Sequence, residues 1–419
     1  MNVIRNGVPW YDTDGNVVNA HGVGVLRHDG RYYMFGESKT DDENKFAGFS
    51  CYSSPDLATW TFEGMALAPQ SEGLLGPDRI GERPKVLRSP TTGKFVLYAH
   101  ADDLRYSDPH IIVATSDSIA GPYTFQGPLM HDGEPLRRWD MGVFDDDDGT
   151  AFLLTHEGNI YRLSDDRLAI EEQVAADVAP AGESPAMLKS GDTYWLMLSN
   201  KTMWERNDNF ILSAPEPAGP WTHRGLLAPE GTLTHNSQCS FVLRLEDGRH
   251  VYLGDRWSFP HQASAATQVW LPLTDDGDSI SLPDYLVEWQ LDRTDGIDSG
   301  VPAVPGRVTS VGFESATSGE RIEIPVSGSV LRVEGDAASD SSYGLIEVLR
   351  ADRVILRQLV DWYSLVPSSG VRWVSPVLPA DDYRLRITAT GERPEWFKKD
   401  GTRFGPTDSF VRVAEVTVF

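Results

Sequence analysis

The chain has 419 residues, which suits a large domain with an accessory one better than a single small core. Lys and Arg total 37 against 62 Asp and Glu, so the formal charge of −25 disfavours nucleic acid and anionic membranes as partners. The two cysteines, Cys51 and Cys239, show no C-x-x-C spacing, which argues against a zinc ribbon or a disulfide framework. We therefore expect a neutral or cationic small substrate, with neither a cofactor nor a metal ion.

The N-terminus carries no export signal as the sequence is written. Residues 1–7 lack the apolar core of a signal peptide. No later run approaches the length of a membrane span. We therefore expect a cytoplasmic protein, or a secreted one if a leader has been removed ahead of residue 1.

A short apolar strand, a turn with Gly or Asp and an aromatic strand recur along the first two thirds of the chain, and each copy is typical of a β-hairpin. The copies begin at Val25, Val86, Val143, Met187 and Phe241. A Ser-rich segment that closes on an aromatic residue follows several of them, at Trp60, Tyr123 and Trp221. A repeat of about 50 residues with four strands is the pattern of a propeller blade. The sequence therefore predicts an all-β fold with a five-bladed β-propeller; the alternative is a β-sandwich with accidental internal similarity.

The predicted propeller covers residues 1–295 and forms the catalytic domain. Residues 296–306 are rich in Asp, Gly and Pro and are predicted to be a linker. From 307 to 419 apolar and polar residues alternate over several short strands, which predicts an accessory antiparallel β-sandwich resembling a jelly roll. Four aromatic residues make this domain a candidate for carbohydrate binding, although core packing explains such residues more often. They are Trp362, Tyr363, Trp396 and Phe397.

A polar residue stands just before the innermost strand of each predicted blade. These residues are His21, Glu82, Asp140, Glu183 and Gln238. In a propeller the loops of successive blades meet on the axis, and a buried polar group costs free energy unless it is satisfied. A ring of such residues therefore indicates a ligand site.

Two carboxylates in this ring have the character of an acid/base glycosidase pair. Glu183 lies beside Pro185 and an apolar strand, so it is the better candidate for an acid that stays protonated near neutral pH. An ionised Asp140 nearby disfavours ionisation of Glu183. The alternative for Asp140 is a structural ion pair with Arg137 or Arg138. The run Asp145–Asp148 is interpreted as a solvated hairpin turn, because its spacing does not fit an EF-hand.

Several motifs over about residues 7–295 resemble those of glycoside hydrolase family 43, a family of five-bladed propellers, and in particular its exo-β-1,3-galactanase group. Each motif is weak alone, but their order and spacing together are specific. They are Asp12-Thr13-Asp14-Gly15 with Ala20-His21-Gly22, Tyr32 to Glu37, Glu82-Arg83-Pro84-Lys85-Val86, Trp139-Asp140, Asp146 to Gly149, Glu183 to Met187, Ser237-Gln238, Gly254 to Trp257, and Val269 to Leu273.

The resemblance implies roles for individual residues. Glu183 matches the general acid, Asp140 the residue that modulates its pKa, and Gln238 the glutamine that positions or activates the water. Most of the family has an aspartate base in the first blade, whereas this sequence reads Asn19-Ala20-His21-Gly22 there, as in the galactanase group. Positions implied for sugar binding or for shaping the pocket are His21, Glu37, Glu82, Tyr106, Thr202, Trp204, Asn207 and Trp257.

Two residues depart from the pattern: Ser184 stands where alanine is commoner, and Met203 where glycine is usual. The expected activity is that of an inverting exo-β-1,3-galactosidase, which takes galactose from the non-reducing end of β-1,3-linked galacto-oligosaccharide or galactan, as in the arabinogalactan backbone. Two alternatives stay open. One is an arabinofuranosidase or β-galactofuranosidase of the same family. The other is a sugar-binding propeller without catalysis, which the missing aspartate base suggests.

Overall fold

The computed structural model describes residues 3–41, 43–204, 206–291, 306–398 and 401–419. Nearly all regular structure in these ranges is β, so the predicted all-β class is confirmed. Helical structure is confined there to short turns, namely two 3-10 turns, Gly73–Leu75 and His156–Gly158, and two α-turns, α1 (Leu233–Asn236) and α2 (Gln262–Ala265). Among these residues no helix is both long enough and apolar enough to cross a membrane.

The strands are numbered in chain order. They are β1 (Val3–Arg5), β2 (His21–His28), β3 (Arg31–Glu37), β4 (Phe49–Ser54), β5 (Thr61–Leu67), β6 (Arg79–Arg88), β7 (Phe95–Asp103), β8 (His110–Ser116), β9 (Thr124–Pro128), β10 (Met130–His131), β11 (Glu134–Pro135), β12 (Met141–Asp145), β13 (Ala151–Thr155), β14 (Asn159–Leu163), β15 (Ile170–Ala175), β16 (Gly182–Ser190), β17 (Thr193–Asn200), β18 (Phe210–Ala214), β19 (Thr222–Leu226), β20 (Gln238–Arg244), β21 (His250–Arg256), β22 (Thr267–Pro272), β23 (Thr274–Asp275), β24 (Ile280–Ser281), β25 (Glu288–Gln290), β26 (Arg307–Ser315), β27 (Arg321–Gly328), β28 (Leu331–Ala337), β29 (Tyr343–Arg350), β30 (Arg353–Asp361), β31 (Ser368–Val374), β32 (Asp381–Ala389), β33 (Trp396–Phe397), β34 (Arg403–Phe404) and β35 (Val411–Val418).

The chain divides into two compact units. The meander unit comprises Asn19–Asp255 and Trp270–Tyr285. The sandwich unit comprises Met1–Val18, Arg256–Val269 and Leu286–Phe419. This division differs from the predicted boundary near residue 295, because the first 18 residues group with the C-terminal part of the chain.

Within each sheet of the meander unit, every strand pairs with the next along the chain. Four four-stranded antiparallel sheets follow one another, β2–β5, β6–β9, β12–β15 and β16–β19, and β20–β22 form a three-stranded sheet. Each of the five predicted hairpins coincides with the first two strands of one of these sheets. The first strands contact one another in the order β2, β6, β12, β16, β20 and back to β2. The polar residues at or near the beginning of these strands are therefore brought towards one another.

Apolar side chains fill the space between neighbouring sheets of the meander unit. Phe35 and Phe49 of the first sheet pack with Leu97 and Ile112 of the second, and all four are buried. Similar clusters join the second sheet to the third and the third to the fourth. Burial of apolar surface contributes about 25 cal/mol per Å², so these layers supply a rigid frame for the polar residues at the strand ends.

The sandwich unit contains two four-stranded sheets, in the orders β26-β35-β28-β31 and β27-β32-β29-β30. Their inward side chains form one core, which includes Trp362 and Trp373. Such a pair of antiparallel sheets is consistent with the predicted β-sandwich. Trp362, Tyr363 and Trp396 are all buried, so core packing accounts for three of the four aromatic candidates for sugar stacking. Phe397, the fourth, is 44% exposed.

Polar contacts explain why the first residues belong to the sandwich unit. Strand β1 pairs with β25, and Glu288 accepts hydrogen bonds from Arg5 and Arg332, each at 2.7 Å. The indole of Trp373 donates to the hydroxyl of Tyr11 at 2.7 Å. Pairings between residues so distant in sequence leave no local pattern, so they were not predicted. The predicted linker at 296–306 lies outside the described residues except for Gly306.

Candidate active site

The first strands of four sheets are irregular close to the same point. The pairing register shifts after His21 in β2, after Glu82 in β6, after Glu183 in β16 and after Cys239 in β20. A bulge bends a strand and re-aims its side chains, so the polar residue at each position leaves the regular alternation of the sheet. The residues that follow in three of these strands have left-handed backbones, namely Gly22 (φ 57°), Arg83 (φ 55°) and Ser184 (φ 54°).

Arg83 connects most of the predicted site. Its side chain is buried, and its Nε donates to Asp140 Oδ1 at 2.7 Å. The two terminal nitrogens donate to Gln238 Oε1 at 2.9 Å and to the carbonyl of Cys239 at 3.1 Å. Its backbone N–H donates to Glu37 Oε1 at 2.9 Å. Arg83 was missed as a site residue, although its place beside Glu82 at the start of an apolar strand was the available signal.

Both oxygens of Asp140 have partners. Oδ1 accepts from Arg83, and Oδ2 accepts from the N–H and the hydroxyl of Ser184, each at 3.1 Å. Ser184, the unusual residue beside the acid candidate, thus adds a hydrogen bond that alanine lacks. The alternative partners of Asp140 are engaged elsewhere, since Arg137 pairs with Asp108 and Arg138 donates to Tyr161. The alternative that pairs Asp140 with Arg137 or Arg138 was therefore wrong, because the arginine that bonds to Asp140 is Arg83.

Glu183 and Gln238 are in direct contact. The amide nitrogen of Gln238 donates to Glu183 Oε1 at 3.3 Å, and both side chains are buried. Arg83 holds the amide oxygen, so the orientation of Gln238 is fixed at both ends of its amide group. The three predicted catalytic residues are thus brought together, with Asp140 joined to Gln238 through Arg83 and to the acid strand through Ser184.

Three of the predicted sugar-binding residues form a second group next to Arg83. Tyr106 donates its hydroxyl to Glu82 Oε1 at 2.7 Å. Asn44 donates to both Glu82 and Tyr106, at 3.2 and 2.9 Å. Lys39 bridges Asn44 at 2.7 Å and Glu37 at 2.5 Å. Lys39 and Asn44 were not predicted, because nothing in the local sequence distinguishes them from solvated loop residues.

His100 supports Glu82 from behind. Its Nδ1 lies 3.3 Å from Glu82 Oε2, and its Nε2 lies 3.2 Å from Asp102 Oδ2. Burial opposes the charged imidazole, but the hydrogen bonds to Asp102 and Glu82 outweigh burial and raise the pKa of His100 to about 9. The pKa of Glu82 is lowered below its usual range because the hydrogen bond and charge of His100 outweigh burial. His100 is therefore a cation between two carboxylates at neutral pH.

Potential metal-ligand atoms of Glu82, His100 and Asp140 all lie within 4.8 Å of one another. These atoms already have protein partners, since His100 bonds to Glu82 and Arg83 bonds to Asp140. A divalent cation there would have to compete with the guanidinium of Arg83, so we assign no metal to this group.

His21 lies in a buried layer of charged residues. Its Nδ1 is 3.9 Å from Asp255 Oδ1, which also accepts from the N–H of Gly22 at 3.1 Å. Burial raises the pKa of Asp255 to about 6. Lys85 donates to the carbonyl of Gly22 at 2.7 Å, and burial together with the charge of Arg83 lowers the pKa of Lys85 to about 7. Asp255 and Lys85 thus bond to both sides of the Gly22 backbone and fix the start of β2.

Asn207 fixes the loop that follows β17. It accepts hydrogen bonds from the hydroxyl of Thr202 and, at 3.3 Å, from the N–H of Met203, and it donates to the carbonyl of Met203 at 2.6 Å. Asn207 itself is buried, whereas Trp204 is half-exposed. Trp257 belongs to the sandwich unit and is buried against Tyr363 and Trp396, so packing accounts for its side chain.

Comparisons with known proteins point to a common family. Residues 19–224 match the family model described as Glycosyl hydrolases family 43. The crystal structure of a candidate exo-β-1,3-galactanase from Bifidobacterium bifidum S17 is 35% identical, with a TM-score of 0.62, and covers 70% of this chain and 98% of its own. An exo-β-1,3-galactanase from Phanerochaete chrysosporium, crystallised with galactose, is 24% identical over the full length of both chains, with a TM-score of 0.72. At that identity the likeness shows the fold.

A curated relative carries a different name. A xylosidase/arabinosidase from Thermoclostridium stercorarium is 28% identical over 212 residues, which is 42% of this chain. The match spans 44% of that protein's length, less than half of it.

Proposed function

The chain belongs to glycoside hydrolase family 43, and from that premise we propose that it is an inverting exo-β-1,3-galactosidase. Its substrate would be β-1,3-galactan or a β-1,3-linked galacto-oligosaccharide, such as the arabinogalactan backbone, cleaved at the non-reducing end. The observation that carries the proposal is the cluster in which Arg83 joins Asp140 to Gln238 and Gln238 contacts the acid candidate Glu183, in a chain whose first blade lacks the aspartate base that most of the family has. The 35% identical relative, itself a candidate exo-β-1,3-galactanase, supports the choice of sugar.

We also propose that the five sheets of the meander unit are five blades of a closed propeller. The cyclic contacts of β2, β6, β12, β16 and β20 support closure, and the three-stranded β20–β22 would be the last blade. The proposed site lies where these strands begin, which is the axial position expected for a propeller.

Glu183 would act as the general acid. It gives its proton to the glycosidic oxygen while the bond from that oxygen to C1 of galactose breaks. A water molecule attacks C1 from the opposite face, loses its proton to solvent and leaves galactose with an inverted anomeric centre. Glu183 then takes up a proton again, so one water is consumed for each bond that is cleaved.

Asp140 is better suited to modulate the acid than to act as a nucleophile. The Arg83 guanidinium at Oδ1 and the two donors of Ser184 at Oδ2 stabilise the negative charge of Asp140, which makes its carboxylate a weaker nucleophile. Its negative charge beside the acid strand favours the protonated form of Glu183. With Asp140 so engaged, single displacement by water is the favoured route.

Gln238 would position the water. An amide oxygen can accept two hydrogen bonds; the Gln238 oxygen accepts one from Arg83, and water would be its other donor in the reaction. The amide of Gln238 also contacts Glu183, so substrate entering between acid and water would have to replace that contact. Arg83 would then keep the amide oriented as the bond to Glu183 is given up.

The test is Glu183→Gln, which keeps the size and polarity of the side chain but removes the acidic proton. We expect hydrolysis of β-1,3-galactobiose to be lost while calorimetric binding of galactose persists. Retained full activity would exclude Glu183 as the acid.

An arabinofuranosidase, suggested by the curated xylosidase/arabinosidase relative, is the second candidate. A panel of aryl glycosides separates the two functions: the proposal predicts cleavage of β-galactopyranosides and not of arabinofuranosides, xylosides or galactofuranosides. If no glycoside is cleaved while sugar still binds, the non-catalytic alternative is correct.

A further inference from the structure

One exposed aromatic residue stands directly beside the proposed catalytic residues. Trp139, which precedes Asp140, is 37% exposed. One face of its indole is covered by the imidazole of His156, with ring centroids 3.3 Å apart and planes only 8° from parallel. Stacking this close leaves no space for water between the rings. The exposed area of Trp139 therefore belongs to its other face and its edge.

The ring is held rigidly, as a binding surface requires. His156 Nδ1 lies 2.9 Å from the carbonyl oxygen of Trp139, and the backbone N–H of His156 donates to the carbonyl of Asp140 at 3.1 Å. Burial lowers the pKa of His156 to about 4, so its ring is neutral at the pH of the assay and stacks on the indole without a charge. His156 therefore holds the ring of Trp139 in a fixed position relative to Asp140.

A charged pair borders the same ring. Lys201 donates to Glu157 Oε1 at 2.6 Å and to the carbonyl of Pro180 at 3.1 Å. Its ammonium lies 5.8 Å from the centroid of the Trp139 ring, a distance at which a cation and an aromatic ring attract each other. An aromatic face with a cation and a carboxylate at its rim matches a sugar ring, which offers C–H groups on one side and hydroxyls around its edge.

Backbone contacts place this group on the acid side of the site. Glu183 in β16 pairs with Ser199 in β17, and the N–H of Lys201, two residues further, donates to the carbonyl of Ala181 at 3.2 Å. On the other flank, Asp140 accepts from the N–H of Ser184, the residue after the acid. Trp139 and Lys201 therefore flank the strand that carries Glu183, whereas Glu37, Glu82 and Tyr106 lie on other sheets.

We propose that Trp139 is the platform on which the leaving-group sugar rests, with Lys201 and Glu157 bonding its hydroxyls. The leaving oxygen must lie within hydrogen-bond reach of the acid, so the sugar attached to it lies against the neighbours of Glu183. This inference rests on the proposed function and adds a specificity-determining residue to it. Trp139 contacts the departing sugar. The galactose that is released would be bound by the other group, which contains Glu37, Glu82 and Tyr106.

The test compares two substrates that differ in the leaving group. β-1,3-Galactobiose carries a sugar that reaches Trp139, whereas the fluoride of β-galactosyl fluoride is too small to reach it. For Trp139→Ala we expect kcat/KM on galactobiose to fall about tenfold or more, with kcat/KM on the fluoride nearly unchanged. Trp139→Phe keeps an aromatic ring, so its kcat/KM on galactobiose should fall less than that of Trp139→Ala.

Phe62→Ala is the matched control, because it removes a 43% exposed aromatic residue from the outer strand β5. Phe62→Ala should leave kcat/KM on both substrates unchanged. Activity on the fluoride reports that each variant is folded. An equal loss on both substrates, or no loss on either, would overturn the role of Trp139 while the proposed function stands. A wild-type protein that cleaves neither substrate would overturn the proposed function, and this inference with it.

Discussion

Replacing Gln238 with alanine removes the group that distinguishes this site from a carboxylate-based one. Two hydrogen bonds are lost, one from the Arg83 guanidinium at 2.9 Å and one to Glu183 at 3.3 Å. A hydrogen bond to a charged group contributes about 1.5–3 kcal/mol and a neutral one about 0.5–1.5 kcal/mol. Arg83 keeps Asp140 and the Cys239 carbonyl as partners, so we expect a folded variant that is destabilised by about 2–4 kcal/mol.

The effect on catalysis should be larger than the effect on binding. Removing a preorganised group that acts in the transition state typically costs on the order of 10²–10³ in kcat. Gln238 would touch the attacking water and not the sugar, so KM should change little. Steady-state kinetics on β-1,3-galactobiose measures both constants, and thermal unfolding shows that the variant is folded at the assay temperature.

A variant with kcat within threefold of the wild type would refute the role of Gln238, because another residue must then position the water. A loss confined to KM would also refute it, since that result assigns Gln238 to sugar binding. Gln238→Glu is the informative partner, because its carboxylate can still pair with Arg83 but places a second acid about 3.3 Å from Glu183. Two carboxyl groups this close share a proton, so the pH optimum should move.

Two further predictions concern the groups around the acid. Ser184→Ala removes one of the two bonds from Ser184 to Asp140 and keeps the backbone bond, so we expect a loss of about 1 kcal/mol in unfolding free energy and a change in kcat below tenfold; a loss beyond a hundredfold would give the hydroxyl a direct part in the chemistry. The pKa of His100 is raised from about 6.5 to about 9, so its charge stabilises the fold fully below about pH 6.5, and this contribution is lost as pH rises through about 9. The difference in Tm between wild type and His100→Gln should shrink from pH 6.5 to pH 10, and a constant difference would contradict the ion network.

Sequence periodicity was sufficient for the parts of the fold that are local. Each hairpin appeared as two short apolar strands around a turn, and the polar residue ahead of each first strand marked His21, Glu82, Asp140, Glu183 and Gln238. The structure brings the last four close to one another or to common partners. His21 lies instead among buried charges, because the bulge in β2 directs it towards Asp255.

The residues that hold the site together could not be predicted in the same way. Arg83 connects four other positions that are distant in sequence, and its left-handed backbone is not a conformation that an arginine usually adopts. Lys39 and Asn44 come from a loop with no periodic pattern. The family resemblance implied that Trp257 shapes the pocket, whereas the structure buries it against Tyr363 and Trp396, which lie more than 100 residues later in the sequence.

The anomeric form of the first product tests the central proposal most directly. β-1,3-Galactobiose is incubated with the protein, and the anomeric protons are followed by NMR before mutarotation mixes the two forms. An acid acting with a water held by an amide, and with no nucleophile, predicts α-galactose as the first species released. Release of β-galactose would contradict the account, because it requires a covalent intermediate on a carboxylate such as Asp140.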